Sequence, residues 1–111
     1  MMRSVDPVQQ AALFRALGDP SRVAILRHLL LGEHKVVELT AHLGLAQSTV
    51  SQHLAWLRDS GLVRSRSVGR ASYFSLTHPD EVVKVLAATE ELIEATGTTT
   101  AGTPTDAGAT P

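Results

Sequence analysis

Residues 38–63 read ELTAHLGLAQSTVSQHLAWLRDSGLV. Two helical stretches meet there at Gly44, and a second glycine, Gly61, closes the run. Val50, Leu54 and Leu57 stand at i, i+4 and i+7, one stripe of a helix with 3.6 residues per turn. With that stripe buried, Gln47, Ser48, Thr49, Ser51 and Gln52 face solvent near the helix start, with His53 at their margin. These side chains are short or carry an amide or imidazole, and they both donate and accept hydrogen bonds. Such chemistry suits base edges and phosphates in a DNA major groove. A polar, solvated face on an ordinary surface helix has the same composition, so the surrounding architecture has to decide.

Downstream of Gly61 the hydrophobic period changes from 3.6 to 2. Leu62–Ser67 and Ala71–Thr77 read as two short strands around Val68-Gly69-Arg70, a hairpin signal. Arg66 and Arg70 flank its tip. Arginines so placed can reach phosphates or a narrow minor groove, although hairpin tips are also charged for solubility. Two short helices joined by a glycine turn and followed by a hairpin make a helix-turn-helix with a wing.

Upstream, Asp6-Pro7 and Asp19-Pro20 are two copies of one helix-start signal, an acidic N-cap before a proline whose missing N–H costs nothing at the first helical position. The first helix carries Val8, Ala11, Ala12, Phe14 and Leu17 and stops at Gly18. The second carries Val23, Leu26, Leu29 and Leu30 and stops at Gly32. The third spans about Val36–Leu43 and the fourth about Gln47–Ser60. Past the hairpin, Thr77-His78-Pro79 opens a long last helix to about Ala95, with Val82, Val83, Val85, Leu86, Ala87, Leu92 and Ile93 as its apolar positions. The fold expected is mainly α with a small β-hairpin: a winged helix-turn-helix of about five helices plus a two-stranded wing. It occupies residues 1–96. Residues 97–111 hold no aromatic or branched aliphatic side chain, so a disordered Thr/Ala/Gly/Pro-rich tail is expected there.

The chain has 111 residues, 43% of them apolar, which suits one small domain. Small domains bury a modest share of their surface, which favours a homodimer. No cysteine is present, so disulfides, thiolate metal sites and cysteine nucleophiles are excluded. Met1–Gln10 has no apolar run of the signal-peptide kind, and no segment reaches the roughly 20 apolar residues of a membrane span. A cytoplasmic protein is expected. Net charge is −1, but it is unevenly spread. Arg58, Arg64, Arg66 and Arg70 face only Asp59 in the middle of the chain, whereas Asp80, Glu81, Glu90, Glu91 and Glu94 face only Lys84 in the last helix. Two surfaces of opposite sign imply two kinds of partner.

The stretch quoted first, together with ALGDPSRVAILRHLL at residues 16–30 and GRASYFSL at residues 69–76, resembles the ArsR/SmtB family of metal-responsive repressors. The resemblance covers roughly residues 10–95. Its most specific part is the Ser-x-x-Ser-x-His-Leu-x-x-Leu run from Ser48 to Leu57. It implies a homodimer whose first and last helices form the interface, double-stranded operator DNA as partner, and an inducer, often a metal ion, that weakens DNA binding.

One metal region of that family uses cysteines on the third helix. The corresponding stretch here, His34 to Glu38, has no thiol, so that site is absent. The other joins the last helices of two subunits, and the resemblance carries it onto His78, Asp80, Glu91 and Glu94. Asp80 and Glu91 are eleven residues apart, about 16 Å along a helix, so one helix cannot bring both to one ion. Two antiparallel helices can. Glu91 and Glu94 share a helix face, and a cation would relieve their repulsion. One imidazole and three carboxylates form a hard donor set. A divalent ion at the dimer interface would be nickel or zinc, with cobalt as a surrogate. The same residues also make sense without metal: Asp80 and Glu81 suit a first helical turn, His78 can cap the helix, and the glutamates can form a solvated face. His28, His34, His42 and His53 read as scattered surface or packing residues, and Trp56 as a packing residue.

Two alternatives stand beside the metal-regulated repressor: a metal-independent winged-helix regulator governed by a protein partner, and a dimeric interaction module that docks a partner on its acidic helix. Nothing in the sequence has the form of a nucleophile–base pair, a phosphate-binding glycine loop or a catalytic metal motif, so an enzyme is not expected.

Overall fold

The structure is a computed structural model, and it describes residues 5–97. The elements are α1 (Pro7–Leu17), α2 (Pro20–Leu29), β1 (His34–Lys35), α3 (Val36–Leu43), α4 (Gln47–Asp59), β2 (Val63–Val68), β3 (Ala71–Leu76) and α5 (Pro79–Thr96). They fall into two compact units that divide between Pro79 and Asp80. Gly97 closes α5 through its N–H to the Ile93 carbonyl at 2.9 Å. The rest of the expected tail lies outside the described residues.

The local signals work as their chemistry requires. Asp6 accepts from the Val8 N–H at 2.9 Å and Asp19 from the Arg22 N–H at 3.1 Å, each ahead of a proline at the first helical position. The Lys35 N–H donates to the Glu38 carboxylate at 2.8 Å and opens α3. Gly44, at φ 66°, turns the chain from α3 towards α4. Gly61, at φ 80°, ends the helix-turn-helix. Its N–H reaches the Arg58 carbonyl, and that of Leu62 reaches the Leu57 carbonyl, both at 2.9 Å. These are the two bonds of a Schellman motif, in which a side chain would be strained at the positive φ of the glycine.

Ile25 and Leu26 from α2, Leu39 from α3, Val50, Leu54 and Leu57 from α4, and Val63 from β2 are fully buried. At about 1.5–3 kcal/mol for each large aliphatic side chain, this cluster holds α4 in place. Arg22 is buried among them, 6% exposed. Its Nε donates to the Ala16 carbonyl at 2.6 Å, and one terminal nitrogen donates to that of Arg15 at 2.8 Å. Its guanidinium lies 3.9 Å from the centre of the Trp56 ring. A cation satisfied by two carbonyls and an aromatic face thus ties the end of α1 to α4.

One expectation needs correction. The expected two-stranded hairpin is present as β2 and β3, but a third strand joins it: the sheet order is β1-β3-β2, all antiparallel, with His34 opposite Phe74 and Lys35 opposite Tyr73. A two-residue strand is too short to carry a period in the sequence. The apolar stripe read on α1 is largely exposed in the single chain: Val8 and Phe14 are 70% and 64% exposed, and Ala16 is the buried residue. Among the described residues, no helix is long and apolar enough to cross a membrane.

Candidate nucleic-acid interface

α4 is anchored along one side. Val50 and Leu57 are 0% exposed and Leu54 is 1% exposed, so the stripe read in the sequence is the buried one. Gln47, Ser48, Ser51 and Gln52 are exposed, and Thr49 is half-buried. Their side chains stand on the first two turns of a 13-residue helix, where unpaired N–H groups and the helix dipole favour an anion such as phosphate. His53 differs from the others in this group. It is half-buried, with Nε2 at 3.6 Å from the Asp19 carboxylate and Nδ1 at 3.4 Å from a terminal nitrogen of Arg22. Arginine can only donate, so Nδ1 accepts and Nε2 carries the ring proton. His53 therefore braces α4 against the start of α2.

The wing exposes β2 and buries part of β3. Val63 alone is buried in β2, and Arg64, Ser65, Arg66, Ser67 and Val68 are exposed. β2 pairs with β3 from Val63–Leu76 to Val68–Ala71, leaving Gly69 and Arg70 as the turn. Gly69 has φ 61°, as the first central residue of a tight hairpin turn requires. Arg70 is thereby held at the exposed tip. Arg66 is already engaged: its Nε and a terminal nitrogen donate to the two carboxylate oxygens of Glu33 at 2.7 and 2.8 Å. This hydrogen-bonded guanidinium holds the Glu33 carboxyl below its ordinary range, and Glu33 in turn raises Arg66. Side-chain exposures of 60% for Arg66 and 31% for Glu33 make the pair weak and easily exchanged for another anion. The Tyr73 ring lies between two cations, 5.2 Å from the Arg66 guanidinium and 5.8 Å from the Lys35 ammonium.

His78, Asp80, Glu91 and Glu94 are all exposed. Asp80, Glu91 and Glu94 lie on the unbroken helix α5, whose rise puts Asp80 and Glu91 about 16 Å apart. One chain therefore cannot gather these side chains around an ion, and among the described residues no group of three or more histidine or acidic side chains is arranged to hold one. The other histidines are not scattered as the sequence suggests. His28, His34 and His42 come together, with ring centroids 5.1–6.2 Å apart. Their six- and eight-residue spacings fit no single element, so only the fold reveals the group. Arg22 was missed for the same reason, since nothing in one sequence marks an arginine as buried.

The pattern described as bacterial regulatory protein, arsR family, matches residues 19–65. A probable mercury resistance operon repressor of Streptomyces lividans is 40% identical over 73 residues, which are 66% of this chain and 58% of that protein. A transcriptional repressor SmtB homolog of Synechocystis sp. is 43% identical over 74 residues, which are 66% of this chain and 56% of that protein. The chain thus spans less than two thirds of the length of these two relatives. Among solved structures, NolR from Sinorhizobium fredii matches with a TM-score of 0.70 at 34% identity, covering 82% of this chain and 96% of that one.

Proposed function

The chain belongs to the arsR family of bacterial regulatory proteins, and from that premise we propose that it is a homodimeric repressor that binds double-stranded operator DNA through α4 and the wing. It is a regulatory protein and not an enzyme. The observation that carries the proposal is the division of α4: Val50, Leu54 and Leu57 are buried while Gln47, Ser48, Ser51 and Gln52 are exposed. Base edges are read by amide and hydroxyl groups. Arg70 at the wing tip and Arg66 on β2 supply phosphate contacts. Thr49 contributes at the helix start, and His53 acts by bracing α4. The exposed Val8 and Phe14 of α1, and Leu92 and Ile93 of α5, support helix faces that a second copy covers.

A divalent ion, nickel or zinc, is proposed as the regulator at His78 and Asp80 of one copy with Glu91 and Glu94 of the other. These donors do not fit an ion within one chain, so the site requires the dimer. A bound ion would neutralise the paired carboxylates, and an ion that prefers the dimer shape with displaced α4 helices lowers DNA affinity by that preference.

The test is selection of duplexes from a random-sequence pool by the purified full chain. Recovery of a two-fold symmetric motif that binds at least about a thousandfold tighter than its scrambled form is expected. Binding that ignores sequence would favour an interaction module whose DNA affinity is incidental.

A further inference from the structure

Three imidazoles from three elements meet: His28 in the last turn of α2, His34 in β1 and His42 in the last turn of α3. Ring centroids are 5.1 Å apart for His28–His42, 5.9 Å for His34–His42 and 6.2 Å for His28–His34. A tetrahedral ion bound at about 2.0–2.1 Å to each nitrogen holds its ring centroids about 3.2 Å away, and so about 5.2 Å from one another. One pair already has that separation, and the other two exceed it by about 1 Å. As they stand the nitrogens do not form a ligand set. His28 and His34 are half-buried and His42 is exposed, so closure requires the His42 ring to turn and the hydrogen-bonded His28 and His34 rings, 6.2 Å apart, to draw together by about 1 Å.

The hydrogen bonds prepare two of the rings. His34 Nδ1 lies 2.8 Å from the Gly32 carbonyl, and His28 Nδ1 lies 3.3 Å from that of Ala24. A carbonyl only accepts, so each Nδ1 carries the proton and each Nε2 keeps its lone pair. A second nitrogen donating to a backbone carbonyl is the arrangement that orients histidine ligands on metals. We infer that His28, His34 and His42 form a binding site for a borderline divalent cation, with zinc or nickel as the fitting ions and water completing the coordination. The site lies wholly in the unit before Asp80 and shares no residue with the set on and before α5. It therefore stands or falls independently of the proposed function.

Its position gives it a lever on the wing. His34 pairs with Phe74 of β3, and the preceding residue, Glu33, holds Arg66 of β2. An ion there would fix the short segment through which Glu33 neutralises a wing arginine.

The test is titration of the full-length chain with zinc chloride and with cobalt(II), followed by calorimetry and visible absorption, for the wild type and the His42→Ala, His34→Gln and His78→Ala variants. His42 is exposed, so its truncation should leave the circular dichroism spectrum unchanged, and His42→Gln serves if it does not. The expected result is a site filled once per chain with tetrahedral cobalt bands. Its affinity should fall at least roughly tenfold in His42→Ala and His34→Gln and stay unchanged in His78→Ala. Equal affinity in the wild type and His42→Ala, or octahedral cobalt bands of a loosely held surface ion, would overturn the site. Loss of an ion only in His78→Ala would overturn it too, while supporting the set that includes α5.

Discussion

The two parts of the proposed DNA interface are built in opposite ways. α4 is fixed by three buried aliphatic side chains along one side, by the His53 contacts and by Arg22 stacked on Trp56. The outward groups on its first two turns, Gln47, Ser48, Ser51 and Gln52, are uncharged. The wing buries Val63 of β2 and Phe74 and Leu76 of β3, and its exposed strand carries the long cations Arg64 and Arg66, the latter already paired to an acid. A fixed scaffold with short side chains suits recognition of particular base edges, where small displacements matter. A ribbon with long cations suits phosphates, which are identical at every position and tolerate adjustment.

The substitution with the largest expected effect breaks both regions at once. Leu54→Ala should lower stability by about 2–5 kcal/mol through lost burial and a residual cavity, seen as a fall in the urea midpoint. Gln52→Ala should leave the midpoint alone and reduce binding to the selected duplex by about 1–3 kcal/mol, with much less change for the scrambled duplex. A uniform loss would move Gln52 to the phosphate-contacting class. Arg70→Ala should do the reverse, weakening all duplexes alike and reducing the slope of log affinity against log salt by about 1. An unchanged slope would remove the wing tip from the interface.

The smallest effect concerns Glu33. Arg66 holds its carboxyl below the ordinary range in the folded chain. A group depressed by folding stabilises above its unfolded value, and that contribution is lost as pH falls through the folded one. Wild type and Glu33→Gln should therefore differ by a small, constant amount in melting temperature near neutral pH and converge in acid. The difference is small because the pair faces solvent. The same variant frees Arg66 and should tighten DNA binding slightly at low salt.

Much of this comparison is legible in the sequence, for local reasons. Asp6-Pro7, Asp19-Pro20, Gly44 and Gly61 are signals that act within a few residues, and they place the ends of the helices almost to the residue. The stripe Val50, Leu54, Leu57 is a one-helix pattern and reads correctly. What escapes detection depends on residues far apart in the chain. β1 exists because two residues pair with β3. Arg66 is occupied because Glu33 stands across the sheet. Arg22 is buried because α1 and α4 converge on it, and three histidines meet because α2, β1 and α3 do. α1 shows the converse: its apolar stripe is plain in the sequence, yet Val8 and Phe14 are left exposed by a single chain, since a pattern says what is apolar and not what covers it.

The central claim is that α4 and the wing together form the surface that meets DNA. Amide chemical-shift mapping of the full-length chain, titrated with the selected duplex and with its scrambled form at moderate salt, tests it most directly. Shifts are expected at residues 47–52 with the selected duplex alone, and at residues 66–70 with both. Shifts confined to residues 80–96, with 47–52 silent in both titrations, would contradict it.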